Sequence, residues 1–137
     1  MSGYPGACHC GAIGVFFETD ADPSLLQVRA CQCSFCRRHG AKTVSDPDGR
    51  LTLSFDAESV HLYRFGTRSA DFLICRECGD YVAAVMDDVA VLNVVAADLI
   101  PFAGRQSEPV TYDAETPDEK RARRRARWTP LVLEGAA

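Results

Sequence analysis

No window of the 137-residue sequence approaches the ~20 consecutive apolar residues that a membrane-spanning helix needs. Met1-Ser2-Gly3-Tyr4-Pro5-Gly6 lacks both the basic and the apolar segment of a secretory leader, so the expectation is a cytoplasmic chain with no membrane partner. Internal repeats, low-complexity tracts and interdomain linkers are also missing, and residues 1–137 read as a single domain long enough to bury a real core. Histidine is scarce. His9, between two cysteines, should point away from them in extended backbone, His61 reads as a strand residue, and His39 reads either as a surface residue or as an acid/base. The formal net charge is −4. An acidic body of that kind disfavours a nucleic-acid partner.

What the sequence does contain is seven cysteines in three clusters. Cys31-Gln32-Cys33-Ser34-Phe35-Cys36 puts three thiols within six residues, where a tight loop can aim all of them at one ion. Cys8 and Cys10 form a CxC, and Cys75 and Cys78 a CxxC, together one complete four-thiolate set. The partition into four and three leaves no cysteine over. It matches one closed structural zinc and one open zinc whose fourth position takes water or substrate, hence two Zn²⁺ per chain. Gly11 and Gly79 each follow a final cysteine, where a positive φ lets backbone amides turn toward sulfur. A ribbon made of Cys33, Cys36, Cys75 and Cys78 is the competing arrangement; it strands three cysteines and its gap exceeds the usual ~15 to 20 residues. A disulfide framework fits less well, because an odd count always leaves one thiol unpaired.

The remaining pattern is mainly β, in seven or eight short strands. Ile13, Val15 and Phe17 alternate, as do Leu51, Leu53 and Phe55, then Val60 and Leu62. Leu25, Leu26 and Val28 are read as a short strand or extended segment leading to Cys31, and Phe72-Leu73-Ile74 as a buried strand delivering Cys75. Tyr81–Val85 and Val89–Val95 form a hairpin around Asp87-Asp88, and Gly40 caps one helical turn after Cys33. Thr116-Pro117-Asp118-Glu119 is a capping box, so residues 116–128 are expected to hold a C-terminal α-helix. Six of the fifteen basic residues fall between Lys120 and Arg127. Their spread around the helix argues against a phosphate-reading face. The helix is expected to rest through Ala122 and Ala126, anchored by Trp128, on its own domain or on a sister subunit in a homodimer.

The ordered set Cys8-His9-Cys10-Gly11, Cys31-Gln32-Cys33-Ser34-Phe35-Cys36-Arg37-Arg38 and Cys75-Arg76-Glu77-Cys78-Gly79 resembles the glutathione-dependent formaldehyde-activating enzyme family, which shares its domain with centromere protein V. The resemblance implies a zinc-stapled β-tent of the Mss4-like type, built of short antiparallel strands. It also implies a structural zinc on Cys8, Cys10, Cys75 and Cys78 and a catalytic zinc on Cys31, Cys33 and Cys36. The activity implied is that of a carbon-sulfur lyase, forming or cleaving the S-hydroxyalkyl adduct of a small thiol and an aldehyde, such as glutathione and formaldehyde. Arg37 and Arg38 directly follow the open cluster, where a guanidinium can pair bidentately with a substrate carboxylate. The alternative function is a zinc-stabilised protein-interaction module without catalysis.

Overall fold

The structure is a computed structural model that describes residues 1–135. The last two residues of the expected 1–137 domain lie outside the described residues. Two sheets share the chain. One contains β1 (Ser2–Ala7), β2 (Gly14–Thr19) and β5 (Arg50–Phe55), all antiparallel neighbours. Its inner face follows the alternation in the sequence: Phe17 lies opposite Leu51 and Val15 opposite Leu53, all buried, while Phe16 and Ser54 face outward.

The second sheet holds β3 (Arg29–Cys31), β4 (Thr43–Val44), β6 (Val60–Tyr63), β7 (Asp71–Cys75), β8 (Tyr81–Met86), β9 (Val89–Asn93) and β10 (Glu108–Val110). β8 and β9 form the expected hairpin, turning at Asp87, which takes a positive φ of 53°. The seam between the sheets is β11 (Thr129–Gly135). Its first residues pair antiparallel with β9, and Leu131–Gly135 then pair parallel with β5. One hydrophobic cluster lies under the first sheet, around Phe17, Leu51, Leu53, Val82 and Leu92. A second, around Cys36, Phe72, Tyr81, Val91 and Trp128, lies under the helices.

The fold is mainly β, as expected, with three strands that the sequence did not announce. β1 carries Pro5 and no period-2 pattern, and it survives as an edge strand, where a missing N–H costs no ladder bond. β10 is three residues long and also contains proline. β11 and β10 account for two parallel pairings, with β5 and with β3, in an otherwise antiparallel structure. Both are reached through long connections, which parallel pairing requires and tight hairpins cannot supply. The segment from Pro23 to Leu25 is a 3₁₀ turn instead of a strand, because Asp22 caps it by accepting from the Ser24 amide at 3.0 Å, and Leu25 points to solvent.

Two α-helices frame the second cluster. α1 (Ser34–His39) ends at Gly40, whose φ of 58° is the left-handed cap expected there. α2 (Pro117–Arg127) begins with the expected capping box: Thr116 Oγ1 accepts from the Glu119 amide at 3.1 Å, and the Thr116 amide donates to Glu119 Oε1 at 2.9 Å. It packs on its own chain, but through a different face from the one expected. Ala122 and Ala126 are exposed, whereas Arg124 and Trp128 are buried. Lys120, Arg124 and Trp128 recur every four residues, so one stripe turns inward, and it is cationic because its guanidinium finds polar and aromatic partners there. Arg124 Nη1 donates to Ser69 Oγ at 2.8 Å, and the guanidinium lies 5.0 Å from the Trp128 ring. No described helix is long and apolar enough to cross a membrane.

Candidate metal centre

The four-cysteine set joins the two sheets at one end. Cys8 and Cys10 lie in the turn between β1 and β2, and Cys75 and Cys78 at the turn between β7 and β8. Their sulfurs lie within 4.8 Å of one another, with Cys8 to Cys10 at 3.7 Å and Cys10 to Cys75 at 3.5 Å. Tetrahedral zinc with bonds of ~2.3 Å places its sulfurs about 3.8 Å apart, so the set fits that ion. Gly11 and Gly79 adopt φ of 86° and 82°, as the knuckle turn demands. The amide of Ile13 donates to Cys8 Sγ at 3.3 Å. Burial pushes the Cys75 thiol up, but the amides of Cys78 and Glu77 outweigh it and hold that thiol down at about 7.

The three-cysteine set is built by β3 and α1. Cys31 ends the strand, Cys33 caps the helix with its Sγ accepting from the Cys36 amide at 3.4 Å, and Cys36 sits one turn later. Their sulfurs also lie within 4.8 Å of one another. The Cys31 and Cys36 thiols donate to Cys33, joined by the amides of Cys36 and Phe35, and this holds Cys33 far below the usual thiol range. Cys31 and Cys36 are pushed up in return. Among the described residues no fourth Cys, His, Asp or Glu completes this set. Three soft donors with a free side fit a zinc that keeps one position for another molecule.

That free side opens on a cavity of about 90 Å³. One wall is apolar and aromatic, with Phe65, Phe72, Tyr81 and Trp128. Tyr81 is 2% exposed, and burial, reinforced by the charge of Cys36, raises its hydroxyl well above the usual phenol range. Phe35 locks this wall to α1, stacking on Phe65 at 5.1 Å and Tyr63 at 5.6 Å and meeting Phe72 and Tyr81 edge-on at 5.0 Å each. The cationic part of the lining comes from β3 and α2: Arg29, Lys120, Arg123 and Arg124.

Arg37 and Arg38 stand elsewhere, exposed on the outer side of α1 and not on the cavity wall; Arg37 Nε donates to the Gln32 carbonyl at 3.2 Å. His39 is exposed, tilts against Phe35 at 4.5 Å, and lines a separate open groove of about 970 Å³ beside Cys8 and Cys78. The larger groove abuts the four-cysteine set, and the smaller cavity abuts the three-cysteine set. His9 contributes its backbone, donating to Asp80 Oδ2 at 2.8 Å, and its ring joins no ligand group. The cationic wall is the functional feature that sequence reasoning missed. Its only local signal is the four-residue spacing of Lys120, Arg124 and Trp128.

One four-cysteine set and one three-cysteine set on two joined sheets define a class of mainly β proteins with cysteine clusters able to hold zinc. The chain belongs to the glutathione-dependent formaldehyde-activating enzyme family, whose sequence pattern it matches over residues 3–112. The crystal structure of a Rhodobacter sphaeroides protein from the Northeast Structural Genomics effort is similar to it, at 33% identity over 77% of this chain and 99% of that one, with a TM-score of 0.57. α2 and β11 lie beyond the matched residues, yet α2 supplies Lys120, Arg123 and Arg124 to the cavity lining and β11 is the seam of the fold.

Proposed function

We propose that the chain is a zinc-dependent carbon-sulfur lyase that forms or cleaves the S-hydroxyalkyl adduct of a thiol and an aldehyde, with glutathione and formaldehyde as the pair the family description points to. The observation that carries this reading is the incomplete donor set of Cys31, Cys33 and Cys36 opening on a walled cavity. Zn²⁺ held by these three sulfurs would acidify a thiol and polarise a carbonyl. In the forward direction the S–H bond breaks and an S–C bond forms at the carbonyl carbon, and the proton ends on the former carbonyl oxygen; cleavage is the reverse. The aromatic wall of Phe65, Phe72 and Tyr81 excludes water from the reacting atoms. Tyr81 keeps its phenolic proton at neutral pH, since its hydroxyl is raised by burial. A second Zn²⁺ on Cys8, Cys10, Cys75 and Cys78 is structural.

The chemistry of α2 supports a small-molecule role over nucleic-acid binding. Arg123 pairs with Glu115 at 2.8 Å, Arg125 pairs with Asp87, and Arg124 faces inward, which leaves Arg121 and Arg127, six positions apart, as the exposed arginines of the helix without an ion pair among the described residues, too few to form a row that tracks phosphates. Exchange NMR on glutathione with formaldehyde tests the activity. Faster exchange with the zinc-loaded protein is the expected result. No acceleration with any thiol, together with a cobalt spectrum showing four fixed ligands at the three-cysteine centre, would leave an interaction module in place of an enzyme.

A further inference from the structure

Two guanidiniums lie buried beside the three cysteines without a carboxylate partner among the described residues. Arg124 is 8% exposed and Arg29 is 7% exposed, and neither joins an ion pair. Arg29 Nη2 donates to Ser45 Oγ at 2.6 Å and Arg124 Nη1 to Ser69 Oγ, both neutral acceptors. Arg124 Nε is the one buried side-chain nitrogen or oxygen among the described residues with no hydrogen-bond partner at all. A buried charge and an orphaned donor are both costly, and natural proteins keep such a combination where a ligand satisfies it. Lys120 adds a further cation to the same wall, and the only carboxylate on it, Asp113, is exposed.

We propose that Arg124, with Arg29 and Lys120, is the anion subsite for the substrate of the three-cysteine centre, and that this substrate is a thiol whose carboxylate is seated on these side chains. The inference rests on the thiol chemistry assigned above and adds which residues hold the thiol's carboxylate. Chemistry sets the charge. The planar guanidinium of Arg124 still has a free N–H to donate, and a carboxylate accepts such donors in a charge-assisted geometry that a neutral hydroxyl cannot match. Sulfur then faces the cysteines on one side of the cavity while the carboxylate faces α2 on the other.

The test uses zinc-loaded protein for calorimetry and cobalt-substituted protein for spectroscopy, with 3-mercaptopropionate, 3-mercaptopropan-1-ol and propionate as probes. At ~0.15 M salt the carboxylated thiol is expected to bind at least about tenfold tighter than the alcohol. Arg124→Gln should reduce that ratio to about one while the alcohol still perturbs the cobalt bands. Arg124→Lys should restore part of the preference, and Arg125→Gln, outside the cavity, should leave it intact. The wild-type ratio stands even if Arg124→Gln fails to fold. Equal affinity of the two thiols for the wild type would overturn the anion subsite and assign the arginines to balancing the cysteine thiolates, with thiol chemistry intact. Binding of propionate alone, with neither thiol perturbing the cobalt bands, would overturn the thiol chemistry and this substrate with it.

Discussion

Cys33 combines three local roles: its carbonyl accepts from the Arg37 amide, its sulfur caps α1, and the same sulfur draws the other two thiols toward it. Serine can still cap a helix but is a poor zinc ligand. Cys33→Ser is therefore expected to lose one of two metal ions and the exchange activity, while far-ultraviolet circular dichroism and most of the thermal stability persist. Loss of the fold with the metal would assign this centre a structural role. Leu53 shows the opposite balance at the same scale. It is fully buried between β2 and β11, belongs to neither cysteine set and lines neither the groove nor the cavity beside them, so Leu53→Ala should cost about 2 to 5 kcal/mol in denaturant unfolding, with the number of bound metals unchanged.

Among the elements, α2 and β11 show how far a local signal reaches. The capping box and Pro117 fix where α2 starts, and Thr116→Ala should lower stability by about 1 kcal/mol, readable as a shift in the urea midpoint at constant slope. Those residues say nothing about which stripe turns inward. Ala122 and Ala126 are the only small apolar residues on the helix, yet the inward stripe is the one whose arginine meets Ser69 and Trp128, residues fixed by other parts of the chain. β11 was invisible for a related reason. Thr-Pro-Leu-Val-Leu-Glu-Gly opens with a residue pair that suits a turn as well as a strand, and its pairing with both β9 and β5 depends on two sheets being in place.

On the scale of the molecule, the four-cysteine site ties segments 65 positions apart in sequence, Cys10 to Cys75, and so closes one sheet onto the other. Binding energy at such a site is folding energy, because no preformed site exists in the unfolded chain. Cys78→Ser, or prolonged exposure to a strong chelator, should unfold the domain cooperatively, in contrast to Cys33→Ser. Metal analysis of protein purified without chelator should return two zinc ions per chain. A reproducible single ion would point back to the ribbon of Cys33, Cys36, Cys75 and Cys78, whose sulfurs fall in two separate groups in the structure.

The sequence by itself determined the metal partition, because ligand number and spacing are local chemistry: a CxC or a CxxC can aim its sulfurs at one ion whatever surrounds it, and a count of seven leaves few ways to divide them. It likewise determined the strands with clean alternation and the end of α1 at Gly40, where a single φ decides. The wall facing the open centre was decided by tertiary structure alone. Arg29 comes from β3 and Arg124 from α2, 95 positions apart in sequence, and each is charged enough to read as solvated when seen alone. The neighbours brought by the fold are what make their burial tolerable, and the desolvation of an arginine depends on those neighbours, which sequence spacing does not encode.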